Sequence, residues 1–162
     1  MSNTVMVNMA DFAVARAPDA LATIGIGSCV AVCLYDAKEK VGGLAHIMLP
    51  WNRENDQSLA GKFADTGIAG LIRLMVSGGA SPNSLTAKIT GGASVFSAGE
   101  KQVITVGKNN IEAVKTILAG HKIRVAAEDT GGTLGRGLVF HTQTGVVEVT
   151  VLSRPPELRV LR

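Results

Sequence analysis

Two apolar runs around a short polar break constrain this chain more than any other feature. Residues 23–35 read T-I-G-I-G-S-C-V-A-V-C-L-Y, residues 36–40 read D-A-K-E-K, and residues 41–49 read V-G-G-L-A-H-I-M-L. This pattern predicts a β-hairpin. With Ala37 and Lys38 as a two-residue loop, the antiparallel partners are Asp36 with Glu39, Leu34 with Val41, and Cys29 with His46. Directly opposed residues share a face with Cβ atoms roughly 4.5–5.5 Å apart, which brings a thiol against an imidazole. Ala-Lys is not an Asn-Gly or Asp-Gly pair, so a loop displaced toward Gly42-Gly43 would break this pairing.

The rest of the chain supplies a core for such a hairpin. At 162 residues it fits one domain, expected over residues 1–152, with residues 153–162 as a loose tail. Hydrophobic residues make up 46% and charged residues 18%, a globular balance and not a disordered one. The net charge of +3 comes from scattered basic residues, and no basic patch interleaved with aromatics appears, so nucleic acid is not expected as a partner. No signal peptide and no run near the ~20 residues of a membrane span is read, so a cytoplasmic protein without membrane insertion is expected. Cys29 and Cys33, four apart on one strand, lie about 13 Å apart and cannot form a disulfide.

Along the chain, strands are expected at 5–9, 12–16 and 21–26, then the hairpin. Residues 51–58 form a polar loop that would be a plain connection, or a lid beside His46. A main helix is expected over 59–76, capped by Ser58 or Asp56, with Gly67 and Gly70 allowing close approach to a sheet. A strand at 85–90 leads into Gly91-Gly92-Ala93, and residues 94–105 read as loop plus strand. A second helix is expected over 109–119 with Asn109 as N-cap and Glu112 completing a capping box. Strands at 123–127, 138–141 and 146–152 follow, with a glycine-rich loop at 128–135. The fold class is an α/β (α+β) layered sandwich, with two principal helices and mixed, mainly antiparallel sheets.

Few residues carry chemistry. Gly25-x-Gly27 lacks the third glycine and the helix of a dinucleotide loop. Cys29, Cys33 and His46 do not make a zinc site, because Cys33 is too far along the strand and a fourth ligand is missing, so no metal and no cofactor is expected. Cys33 reads as a small core residue. Cys29 follows Gly27 and Ser28, whose backbone leaves N–H groups near the sulfur for an oxyanion. A histidine opposite the thiol would lower its pKa and make a nucleophile. No Asp or Asn is at hand to orient the imidazole, but Gly25 and Gly27 can fold the segment so that Thr23 reaches His46. His121 and His141 read as surface residues.

Five blocks then carry a family resemblance: G-S-C-V-A-V-C-L-Y-D, G-G-L-A-H-I-M-L-P, K-F-A-D-T-G-I, K-I-T-G-G-A and A-E-D-T-G-G-T-L-G-R. In order and spacing the chain resembles the CheD chemoreceptor glutamine deamidases from about Val5 to Val149. The resemblance implies a layered sandwich similar to the deamidase domain of cytotoxic necrotizing factor toxins. It also implies a catalytic Cys29, His46 and Thr23, with Gly27 and Ser28 at the oxyanion and substrate. The reaction would be hydrolysis of receptor glutamine side chains to glutamate with loss of ammonia. The implied partners are the cytoplasmic domains of methyl-accepting chemotaxis receptors and, in systems that have one, a CheC-type phosphatase. Thr90 replaces a usual aromatic, and Ser-Val-Phe follows Ala93 where the family more often has Asn-Met-Phe. Gly91, Gly92, Ala93 and Phe96 are the expected partner or substrate surface. Two other classes fit the residues: a Cys-His peptidase or small-amide hydrolase, and a docking module for a phosphatase with little turnover.

Overall fold

The most apolar stretches of the sequence become the strands that are covered on both faces. In the computed structural model, which describes residues 2–94 and 101–162 and only the backbone of 101–104, β4 (Val30–Asp36) and β5 (Val41–Ile47) lie side by side inside a five-stranded sheet. Every residue of both strands is buried except Tyr35. That requires apolar side chains in succession and not in alternation. The sheet continues with β2 (Phe12–Arg16) beside β5, and with β6 (Leu85–Gly91) and β7 (Arg124–Thr130) beyond β4. A second five-stranded sheet has the order β1 (Thr4–Met6), β3 (Ala20–Ile26), β8 (Arg136–His141), β9 (Val147–Val151) and β10 (Glu157–Leu161). Pairing is antiparallel except for β1 with β3 and β6 with β7.

Helices α1 (Ala64–Ser77) and α2 (Lys101–Gly120) cover the outer face of the first sheet. α2 is the crossover that makes β6 and β7 parallel. Its own core holds Val32, Leu34, Ile47, Ile68, Leu71, Met75, Val114 and Leu118. The opposite faces of β4 and β5 meet the second sheet around Leu21, Ile26, Ala31, Cys33, Leu44, Phe140 and Val149. Each fully buried Leu or Phe contributes about 1.5–3 kcal/mol relative to exposure. The expected approach of α1 to the sheet is present. A Cβ on Gly67 would sit 2.8 Å from Ile47 Cδ1, and one on Gly70 would sit 2.9 Å from Phe12 Cζ.

Three expectations need correction. α1 begins at Ala64, with Phe63 as its N-cap, because residues 59–62 instead turn to hydrogen-bond Ala10 and the Met48-Leu49 backbone. α2 begins at Lys101, so Asn109 is inside the helix and not its cap. Residues 153–162 are not a loose tail. They carry β10, which pairs with β9 from Glu157 opposite Val151 to Leu161 opposite Val147. Among the described residues, no helix is long and apolar enough to cross a membrane.

Candidate active site

The hairpin turn sets the register of the site. Asp36 Oδ1 accepts the N–H groups of Lys38 and Glu39, and Lys40 takes a left-handed φ of 53°. The loop therefore has four residues, 37–40, and its centre lies one residue beyond the Ala37-Lys38 loop. Asp36 pairs with Val41, and Ala31 pairs with His46. The expected direct opposition of Cys29 and His46 is thus displaced by two residues. An even displacement keeps each side chain on its face, whereas an odd one would have turned His46 to the helices. Cys29 lies one residue before β4, in the cluster between the sheets with Ala31 and Cys33. It is the diagonal neighbour of His46, and among the described residues no hydrogen bond joins the thiol to the imidazole.

His46 is fully buried. Its Nδ1 lies 2.7 Å from Thr23 Oγ1, and Thr23 Oγ1 donates to the Val7 carbonyl at 2.7 Å. A hydroxyl has one hydrogen to give. With that hydrogen on Val7, the contact to His46 needs a hydrogen from Nδ1, so Nδ1 is protonated and Nε2 keeps the lone pair. Nε2 is buried and has no hydrogen-bond partner among the described residues. Thr23 does not reach His46 by folding back beside the hairpin. It sits on β3 in the other sheet and faces His46 across the interface. Gly25, at a φ of 69°, allows the bulge that shifts the β3–β8 register just after Thr23.

The segment 27–29 is held from behind by all of its carbonyls. Ala93 N–H donates to the Gly27 carbonyl at 2.9 Å, Asn110 Nδ2 to that of Ser28 at 2.9 Å, and Gly92 N–H to that of Cys29 at 2.7 Å. Among the described residues, the N–H groups of Ser28 and Cys29 donate to no other residue's backbone carbonyl. The oxyanion donors were expected from the backbone of Gly27 and Ser28, and the Ser28 and Cys29 N–H groups are those left without a backbone acceptor on another residue. Gly91, Gly92 and Ala93, expected at a partner or substrate surface, are buried, and Gly92 and Ala93 brace this segment. Phe96 lies outside the described residues. Gly91 adopts a φ of 114°, and a Cβ there would meet the Cys29 carbonyl oxygen at 2.3 Å.

Burial raises the Cys29 thiol pKa, against the smaller opposing effect of its own backbone N–H. Burial also lowers the His46 pKa below the usual 6.5. The lowered thiol pKa expected beside a histidine is therefore opposed by burial. Cys29 is 7% exposed, and both shifts disfavour the charged form of the group. Cys33 is buried and its thiol is pushed up strongly, consistent with a core residue. His141 binds Glu148 at 2.8 Å near the surface, and His121 is exposed, as expected. Trp51 and Arg53 of the 51–58 loop line a cleft of about 450 Å³ with Asn109, Glu112 and Thr116 of α2.

Asn110 was missed in the sequence because the pair Asn109-Asn110 looked like a helix start. Its signal was its spacing, three and four residues before Ala113 and Val114, which puts a polar side chain on the buried stripe of α2.

Comparison with known proteins agrees with the family blocks. The family model for CheD chemotactic sensory transduction matches residues 48–151. This span begins after Thr23, Cys29 and His46, so the match rests on the remainder of the chain. A probable chemoreceptor glutamine deamidase CheD of Syntrophomonas wolfei is 46% identical over 147 residues, covering 90% of this chain and 91% of that protein. The protein of the same name from Methanococcus vannielii is 47% identical over 143 residues, covering 88% and 92%. A third, from Desulforamulus reducens, is 44% identical over 153 residues, covering 93% and 92%.

Proposed function

This chain belongs to the CheD family, and we propose that it is a cytoplasmic protein-glutamine deamidase that hydrolyses glutamine side chains of chemotaxis receptors, with Cys29 as nucleophile and His46 as acid–base. The observation that carries the mechanism is the chain from His46 Nδ1 through Thr23 Oγ1 to the Val7 carbonyl. It sets the tautomer a general base needs and leaves Nε2 as a buried acceptor without a partner among the described residues.

The steps balance with these groups. Cys29 Sγ attacks the carboxamide carbon as its proton passes to His46 Nε2. The oxygen becomes an oxyanion, held by the N–H groups of Ser28 and Cys29. His46 returns the proton to the amide nitrogen, the C–N bond breaks, and ammonia leaves a thioester. Water then attacks that carbon while His46 Nε2 takes its proton. The C–S bond breaks, the thiolate regains the proton, and glutamate is released. Because burial disfavours the charged form of both groups, proton transfer accompanies attack. Where a CheC-type phosphatase is present, it competes with receptors for the same face.

The test is mass spectrometry of a purified receptor cytoplasmic fragment incubated with the protein. Deamidation, an acyl transfer from nitrogen to water, raises the mass of a glutamine peptide by roughly one dalton and leaves the backbone uncut. A cut backbone would favour a Cys-His peptidase. An unchanged fragment that binds the protein would favour a docking module.

A further inference from the structure

Asn110 reaches from α2 to both halves of the site. Its Nδ2 donates to the Ser28 carbonyl at 2.9 Å and to the Met48 carbonyl at 2.8 Å, and the residue is fully buried. Both partners are acceptors, so the amide orientation is fixed with the nitrogen toward them. One bond holds the peptide that precedes the nucleophile. The other holds Met48, the residue just past the strand that carries His46.

The Ser28–Cys29 peptide is trans. In a planar trans peptide the C=O and N–H point in opposite directions. Fixing the Ser28 carbonyl on Asn110 therefore aims the Cys29 N–H the other way. Without that bond, nothing among the described residues donates to the Ser28 carbonyl. Its flanking peptides would remain held by Ala93 and Gly92, both of which use backbone groups. The Ser28–Cys29 peptide is thus the one member of this segment whose plane depends on a side chain.

α2 can place Asn110 there because Gly107, one turn earlier, lies against the Gly92-Ala93 backbone. A Cβ on Gly107 would sit 2.6 Å from the Gly92 carbonyl oxygen and 2.8 Å from that of Ala93. Gly92 N–H and Ala93 N–H are the donors that hold the rest of the segment. The helix, the glycine turn and the nucleophile segment form one rigid contact, and Asn110 is its only side-chain hydrogen bond to residues 27–29 among the described residues.

We infer that Asn110 is a positioning residue for deamidation: through its hydrogen bond to the Ser28 carbonyl it orients the Cys29 N–H as an oxyanion donor. This inference rests on the deamidase reading. It predicts a loss confined to steps that build charge on oxygen. Alkylation of Cys29 by iodoacetamide forms no oxyanion, whereas attack on a carboxamide does.

The experiment compares wild type and Asn110→Ala at a temperature where circular dichroism shows both folded. Each is assayed for deamidation of a receptor fragment and for the alkylation rate of Cys29. Loss of one oxyanion donor costs about 10²–10³-fold in kcat, so a misaimed one should cost roughly 10–100-fold. The expected result is that loss in kcat, with KM and the alkylation rate each within about threefold of wild type. Asn110→Ser, which keeps one hydroxyl donor, should recover part of the loss and also serves if the alanine variant does not fold. An unchanged kcat, or alkylation and deamidation falling in parallel, would overturn the inference. So would failure of both variants to fold, which would make Asn110 a stability residue. With an active wild type, those results leave the deamidase reading standing. A wild type that leaves receptor glutamines unchanged overturns both.

Discussion

Thr23 Oγ1 and His46 Nδ1 lie 2.7 Å apart across the interface between the two sheets, and the hydroxyl hydrogen is committed to Val7. A neutral threonine thereby does what a carboxylate does in many nucleophile–histidine pairs: it sets the tautomer. Unlike a carboxylate it adds no negative charge, so it does not hold the imidazolium. That agrees with the lowered pKa of His46, for which burial is the cause.

Thr23→Val keeps the β-branched shape but cannot accept from Nδ1. It should lower kcat/KM on a receptor fragment by roughly 5–150-fold, the equivalent of about 1–3 kcal/mol for one hydrogen bond. Thr23→Ser should stay near wild type. Equal activities in folded Thr23→Val and Thr23→Ser would assign the orienting role to another group.

The pH profile follows from the same burial. His46 must be neutral to act as base, and its pKa lies below 6.5. The acid limb of kcat/KM should therefore have its midpoint below about 6.5, with activity rising as pH rises through it. Stability has the same sign. The unfolded chain binds the imidazole proton more readily, so His46 lowers stability as pH falls from about 6.5 through its folded value. Activity that falls as pH rises past neutrality would instead mark a positive His46 paired with a thiolate at rest, because that pair is lost when the imidazolium deprotonates.

Gly91→Ala tests the brace behind the nucleophile. The new Cβ would meet the Cys29 carbonyl oxygen at 2.3 Å, and the φ of 114° is one L residues rarely adopt. A cost of about 1–3 kcal/mol in unfolding free energy is expected, together with lost deamidation. Gly120→Ala, where a Cβ meets nothing within 4 Å, should be neutral or stabilising by up to about 1 kcal/mol. Equal denaturation midpoints for the two variants would remove the steric argument.

Much of this site was legible in the sequence because its information is local. The apolar runs at 30–35 and 41–47 had to be central strands, and Cys29 and His46 share a face under any even register. The register itself was not legible. It depends on Asp36 accepting two turn N–H groups and on Lys40 entering a left-handed conformation, neither of which a dipeptide preference reveals. Thr23 could be named but not placed, since its contact crosses between sheets that pair residues far apart in the chain. α2 was read two turns short because Lys101–Lys108 carries only a weak apolar stripe, and the tail became β10 because β9 offered a free edge. Burial also reversed one electrostatic expectation. Proximity to a histidine suggested a lowered thiol pKa, but the fold removes both groups from water and desolvation dominates.

The most direct measurement is kcat/KM for receptor deamidation by Cys29→Ala beside Cys33→Ala, each checked for folding by circular dichroism. The account predicts that Cys29→Ala falls by at least about 10³-fold, toward background, as removal of a nucleophile does. Cys33→Ala, a loss of sulfur from the core, should keep activity within a few-fold of wild type. Deamidation by folded Cys29→Ala within tenfold of wild type, or loss that follows Cys33 instead, would contradict the assignment of the nucleophile.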